Sequence, residues 1–185
     1  MTMVNSRSLS DLRADVRVNC ELFLKICKEN GLNVLVTQTL RDNEYQAALY
    51  AQGRTKPGSI VTNSRTTTFH GVGLAFDVCK NVKGHEYDDA SFFKACGEIG
   101  KMVGFSWGGD WKSFTDKPHF QWDNGRKNLN HNSVPKMPKY EPQPDYYKVL
   151  QDRAFLADST IKFVKEHFKQ YKYEKDLIRK IATMK

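Results

Sequence analysis

Thr68-Phe-His70-Gly-Val-Gly-Leu-Ala-Phe-Asp77-Val-Cys79 decides the reading of this chain, because it joins a glycine-punctuated bend to an alternating run. Gly71 and Gly73 let the backbone turn sharply beside His70, and the run after Gly73 alternates like a half-buried strand. Strand geometry sends Ala75, Asp77 and Cys79 to one face and Leu74, Phe76 and Val78 to the other. An aspartate with apolar neighbours needs a partner, since a desolvated carboxylate is costly alone and a divalent cation satisfies it. Downstream, Asp116-Lys-Pro-His119-Phe adds a second imidazole and a spare carboxylate. Two imidazoles, one ligating carboxylate and one free carboxylate are the inventory of a catalytic zinc site, which keeps a coordination position for water. His70, Asp77 and His119 are therefore read as ligands of one Zn2+, with Asp116 as the base.

Working outward, Trp107-Gly-Gly-Asp-Trp111 is a glycine-rich bend between aromatics, and Pro118-His119-Phe120-Gln121-Trp122 reads as another strand entering at a proline. Leu9, Leu12, Val16, Cys20, Phe23 and Cys27 recur at helical steps after Ser8 or Ser10, which predicts an amphipathic helix ending near Gly31. A strand from Leu32 to Thr39 follows. Asp42 or Asn43 can cap a short helix running to Gln52 and stopped by Gly53, and a loop from Arg54 to Thr67 then borders the expected cleft. Ala90 to Val103 carries Phe92, Phe93, Cys96, Ile99 and Val103 on one helical face, with Gly104 as terminator. The expected fold is α+β: helices cover one face of a small antiparallel sheet and the other face holds the metal.

A chain of 185 residues with 39% hydrophobic content can bury one core, so residues 1–133 are read as the catalytic domain. Composition changes in residues 134–145, where Pro135, Pro138, Pro142 and Pro144 disfavour helix and predict an extended linker. Residues 146–185 hold ten Lys and Arg against five Asp and Glu, so five of the net eight positive charges sit there. Two apolar stripes, Leu156 to Phe168 and Tyr173 to Ile181, fit a small helical hairpin that attaches to the anionic wall or brings two copies together. No stretch has the apolar length of a membrane span, and the amino terminus lacks the apolar run of a secretory signal.

The four cysteines form no CxxC pair and agree with a reducing compartment. Cys79 shares a strand face with Asp77 and is a competing zinc ligand, against its reading as a small buried hydrophobe. His85, His131 and His167 stand in polar or basic surroundings and read as solvated.

The motif Thr68-x-His70-x-x-Gly73-x-Ala75-x-Asp77, with Asp116 ahead of His119, resembles the zinc peptidases of bacterial cell walls. That family includes D-Ala-D-Ala carboxypeptidases and dipeptidases, and the match is strongest to the phage and bacterial L-alanyl-D-glutamate endopeptidases. Threonine stands at 68 where the family has serine, which keeps a hydroxyl beside the site. The resemblance also takes in Gln38-Thr-Leu-Arg41 with Gln46, Tyr50-Ala-Gln-Gly-Arg-Thr55 and Trp107 to Trp111, and so runs from about residue 6 to about 125.

It implies hydrolysis of a stem-peptide bond in peptidoglycan, with Arg41 facing the site to hold a substrate carboxylate or the developing oxyanion. Arg54, in a glycine-flanked loop, has the weaker claim to such a role. A wall hydrolase without a signal fits a phage endolysin held in the host cytoplasm until lysis and then acting on the cell wall. A D,D-carboxypeptidase acting on D-Ala-D-Ala termini is the alternative. A non-catalytic zinc-containing module binding a wall polyanion is the other, because hedgehog domains share this architecture; Asp116 argues for an enzyme. The net charge of +8 admits a polyanion, but no nucleic-acid partner is expected.

Overall fold

A computed structural model describes residues 3–125 and 130–140. Helix α1 spans Ala14–Glu29 and buries Val16, Cys20, Phe23 and Cys27, the stripe expected from the sequence. Leu9 does not join it: Leu9–Asp11 form a separate 3-10 turn, and the Arg13 amide donates to the Gly73 carbonyl (2.9 Å) just where the longer helix would have continued. Gly31, at φ 74°, closes the carboxyl end in the left-handed conformation that glycine adopts without strain. Strand β1, Val34–Gln38, leads to helix α2, Asn43–Ala51, whose first turn is capped by Asp42 accepting from the Tyr45 amide at 2.8 Å.

Strand β2 covers Ala75–Lys80, helix α3 Ala90–Met102, strand β3 Ser106–Trp107 and strand β4 His119–Gln121. The strands form one antiparallel sheet in the order β1-β2-β4-β3. Its register pairs Phe76 with Phe120 and Asp77 with His119. A shift in the β1–β2 ladder between Val36 and Gln38 brings Gln38 opposite Asp77 as well; bulges of this kind re-aim side chains beside functional sites.

The period-two alternation then separates the faces. Phe76 and Phe120 stack at 5.3 Å under Phe23 of α1, with Cys96 of α3 in the same core. A Cβ on Gly100 would lie 2.3 Å from the Phe120 ring, so glycine there lets α3 reach the sheet. Asp77, His119 and Gln121 occupy the opposite face.

The chain divides into Met1–Tyr140 and Glu141–Lys185. The expected helical stripes at 146–185, His167 and any pairing of copies through that segment lie outside the described residues. The first unit includes residues 134–140, which lie across α1 without regular secondary structure. Val134 and Met137 enter the core. Arg13 donates to the carbonyls of Val134 and Pro135 (3.1 and 2.8 Å), and Trp122 donates to the same Pro135 carbonyl (2.9 Å). Asn19 donates to Pro138 and accepts from Tyr140, while Asp15 accepts from the Met137 amide. Among the described residues no helix is long and apolar enough to cross a membrane.

Candidate metal centre

The turn Phe69–Val72 presents His70 from the loop, while β2 and β4 present Asp77 and His119 across a register pair. Candidate ligand atoms of His70, Asp77 and His119 all lie within 4.8 Å of one another. Asp77 Oδ1 is 2.9 Å from His119 Nδ1 and 3.3 Å from His70 Nε2, and the two ring nitrogens are 3.2 Å apart.

The partners on the far side of each ring fix the protons. His70 Nδ1 is 3.0 Å from the Thr39 carbonyl, which only accepts, so the hydrogen sits on Nδ1 and Nε2 faces inward with a lone pair. Gln121 uses its Nε2 to donate to Asp123 (2.8 Å), which leaves Oε1 to accept from His119 Nε2 at 3.0 Å. His119 Nδ1 therefore also faces inward as an acceptor. Asp123 is held in turn by Ser106 and by the Gly125 amide. Three acceptors thus converge on one point, an arrangement that repels itself unless a cation lies between, and such outward partners orient the histidine ligands of metal ions. The residues fit a divalent metal.

Burial works against the Asp77 anion, yet the two imidazoles hold its carboxyl well below the usual carboxylate range. Burial lowers His70. It acts the same way on His119, but hydrogen bonding and charge from Asp77 prevail and raise that ring, so a proton competes with a metal ion for its Nδ1. Asp116 is pushed up by burial, with His119 opposing, which suits a group that must take up and release a proton.

Asp116 and Arg41 share a cleft of about 670 Å³ with the three candidate ligands. Arg41 Nη1 lies 3.6 Å from Asp77 Oδ2 and donates to Gln38 Oε1, while its buried Nε has no partner among the described residues. Burial lowers its pKa, with Asp77 and Asp116 opposing. Thr62, Asn63 and Ser64 form part of the wall, as expected of the loop after α2.

Arg54 does not face the site: it donates to the carbonyls of Tyr50 and Thr62 and to Asn63, and it stacks on the Tyr50 ring at 4.0 Å. Cys79 is buried outside the ligand group. His85 pairs with Asp88 on the surface, and His131 lies 6.3 Å from the Phe69 ring. Thr68 is exposed, and the orienting contact on His70 comes from the Thr39 carbonyl instead.

Three contributors carry no assigned role in the sequence reading. The Thr39 carbonyl carries no residue-type signal. Gln121 was visible as a polar residue two positions after His119 on a strand, hence on the same face. Gln46, only 1% exposed, ties the cleft wall by donating to Thr62 Oγ1 and the Ser64 carbonyl.

Comparison with known proteins supplies relatives. The family described as D-alanyl-D-alanine carboxypeptidase matches residues 62–122. The peptidoglycan L-alanyl-D-glutamate endopeptidase CwlK of Bacillus subtilis is 38% identical over 123 residues, which cover 60% of this chain and 74% of that protein. The L-alanyl-D-glutamate peptidase of Listeria phage A118 is 31% identical over 125 residues, covering 64% of this chain but 41% of the phage protein. Among solved structures, the Serratia marcescens L-Ala D-Glu endopeptidase ChiX aligns with a TM-score of 0.48 at 23% identity, over 64% of this chain and 88% of that one.

Proposed function

This chain belongs to the D-alanyl-D-alanine carboxypeptidase family, and from that premise we propose that it is a zinc peptidase cutting the L-alanyl-D-glutamate bond of peptidoglycan stem peptides. The observation that carries the reading is the convergence of three inward-facing acceptors with a buried carboxylate, Asp116, in the same cleft. His70, Asp77 and His119 would hold the zinc, which when bound makes water acidic near neutral pH and polarises a carbonyl. Asp116 takes the proton from the attacking water and returns it to the leaving amine. Arg41 offers its fixed fork to a carboxylate of the substrate, or to the oxyanion as the carbonyl is attacked. Gln121 and the Thr39 carbonyl keep both rings turned the right way.

The bond specificity is supported by the two endopeptidase relatives. It would serve a phage endolysin, the role expected from the sequence, and a bacterial wall-remodelling enzyme alike. Digestion of purified peptidoglycan followed by mass spectrometry tests it. New glutamate amino termini with L-alanine left on the glycan are expected. Release of terminal D-alanine alone would instead identify a D,D-carboxypeptidase.

A further inference from the structure

A second cleft, of about 830 Å³, adjoins the first and shares with it Thr68, Trp111, Ser113 and Gln121. His70, Asp77 and His119 line the first cleft, the second meets it at Gln121, the partner of His119, and the two walls differ in kind. The first adds to Asp77 and Asp116 two cations, Arg7 and Arg41, of which Arg41 lies 3.6 Å from Asp77. In the second the charges are largely matched already: Lys101 pairs with Glu98 and Asp110, and Asp123 is held by Ser106, Gln121 and Gly125. What it presents is aromatic, chiefly the half-buried rings of Phe69 and Trp111, edged by Ser106, Ser113 and Lys112. Ring faces with polar edges suit an uncharged ligand having both an apolar face and hydroxyls.

The substrate of the proposed reaction has two dissimilar ends. Beyond the scissile bond the stem bears carboxylates, starting with that of D-glutamate. Before it stands a single alanine, whose nitrogen is joined through a lactyl amide to an N-acetylmuramyl sugar. One residue spans at most about 3.6 Å, so the sugar begins within about two residue lengths of the attacked carbonyl and must meet the protein. The Trp111 ring centroid is 5.2 Å from that of His119, so the aromatic wall starts at about that range. We propose that the second cleft is a muramyl subsite: the sugar lies against Trp111 and Phe69, and the carboxylate-bearing part of the stem lies in the Arg7 and Arg41 cleft. This placement rests on the L-alanyl-D-glutamate reading. It makes the enzyme selective for stems still attached to glycan.

The test compares kcat/KM for an N-acetylmuramyl tripeptide with that for the same peptide carrying a plain N-acetyl group. Wild type should favour the muramyl substrate by about tenfold or more, since binding energy away from the reacting bond is used in the transition state. Phe69→Ala and Lys112→Glu should each reduce that ratio. Because Phe69 also packs against the core, a second measurement is independent of any variant: methyl N-acetylmuramide should alter tryptophan fluorescence of the wild-type protein, and methyl glucoside should not. Equal rates on the two peptides, or no fluorescence response to the muramide, would overturn the subsite. Failure to cut either peptide between alanine and glutamate would overturn the proposed reaction instead.

Discussion

The two sides of this sheet treat their polar groups in opposite ways. On the α1 side, the clamp on residues 134–140 matches its groups: Arg13 donates to two carbonyls, Asn19 donates and accepts, and Asp15 accepts from both Arg13 and the Met137 amide. On the metal side, His70, Asp77 and His119 turn three acceptors toward one another, and Arg41 Nε is buried without a partner among the described residues. Matched networks of this kind contribute stability, while a convergent set of like groups costs stability and is kept for what it binds. A change on the metal side should therefore abolish activity and spare the fold, and a change in the clamp should do the reverse.

The largest effect expected is on rate. Asp116→Asn should lower hydrolysis of peptidoglycan by about 10²–10⁴-fold, the range that general base catalysis supplies, with metal content and melting temperature unchanged. Full lytic activity in that variant would remove Asp116 from the role of base.

Next in size is the clamp on residues 134–140. Met137 is 2% exposed, so Met137→Ala should cost about 2–5 kcal/mol in urea unfolding while specific activity at low temperature stays near wild type. An unchanged unfolding midpoint would mean that residues 134–140 contribute nothing to the domain.

A smaller, pH-dependent effect belongs to Asp15. Burial works to raise its pKa, but the Arg13 guanidinium and the Met137 amide prevail and hold it below the ordinary value. The stability it contributes is therefore complete above the unfolded carboxylate value, about 3.9, and is lost as pH falls through the lower folded value. Asp15→Asn should lower neutral-pH stability by about 1.5–3 kcal/mol and flatten the acid side of the stability profile. An acid limb as steep as that of wild type would assign the slope to other carboxylates.

Much of this contrast could be read from residues alone. Asp42 as a cap, Gly31 and Gly104 as helix ends, and the alternation through Asp77 each carry a local signal, and each matches the fold. The first helix is shorter than its apolar stripe predicts because the Gly73 carbonyl that takes the Arg13 amide comes from a distant loop. The pairing of Asp77 with His119 follows once two strands pair in register, and the turn Phe69–Val72 brings His70 to them. The tautomers do not follow, since one is set by a backbone carbonyl and the other by an amide whose own partner, Asp123, is two residues further on.

Residues 134–140 carry less local signal. Their prolines do keep them from forming a helix, which is why they resemble a linker, yet apart from the Trp122 bond their backbone pairs with side chains about a hundred and twenty residues earlier. Val134, Met137 and Tyr140 are the hint in their composition.

The metal centre is tested most directly by the zinc content of the purified protein, measured by elemental analysis in parallel for wild type and His70→Ala after identical dialysis. Wild type should carry on the order of one zinc ion per chain, and the variant, left with two of the three ligands a catalytic zinc requires, should lose most of it while remaining folded. Equal zinc in both proteins would contradict the assignment of His70, Asp77 and His119 as the metal centre.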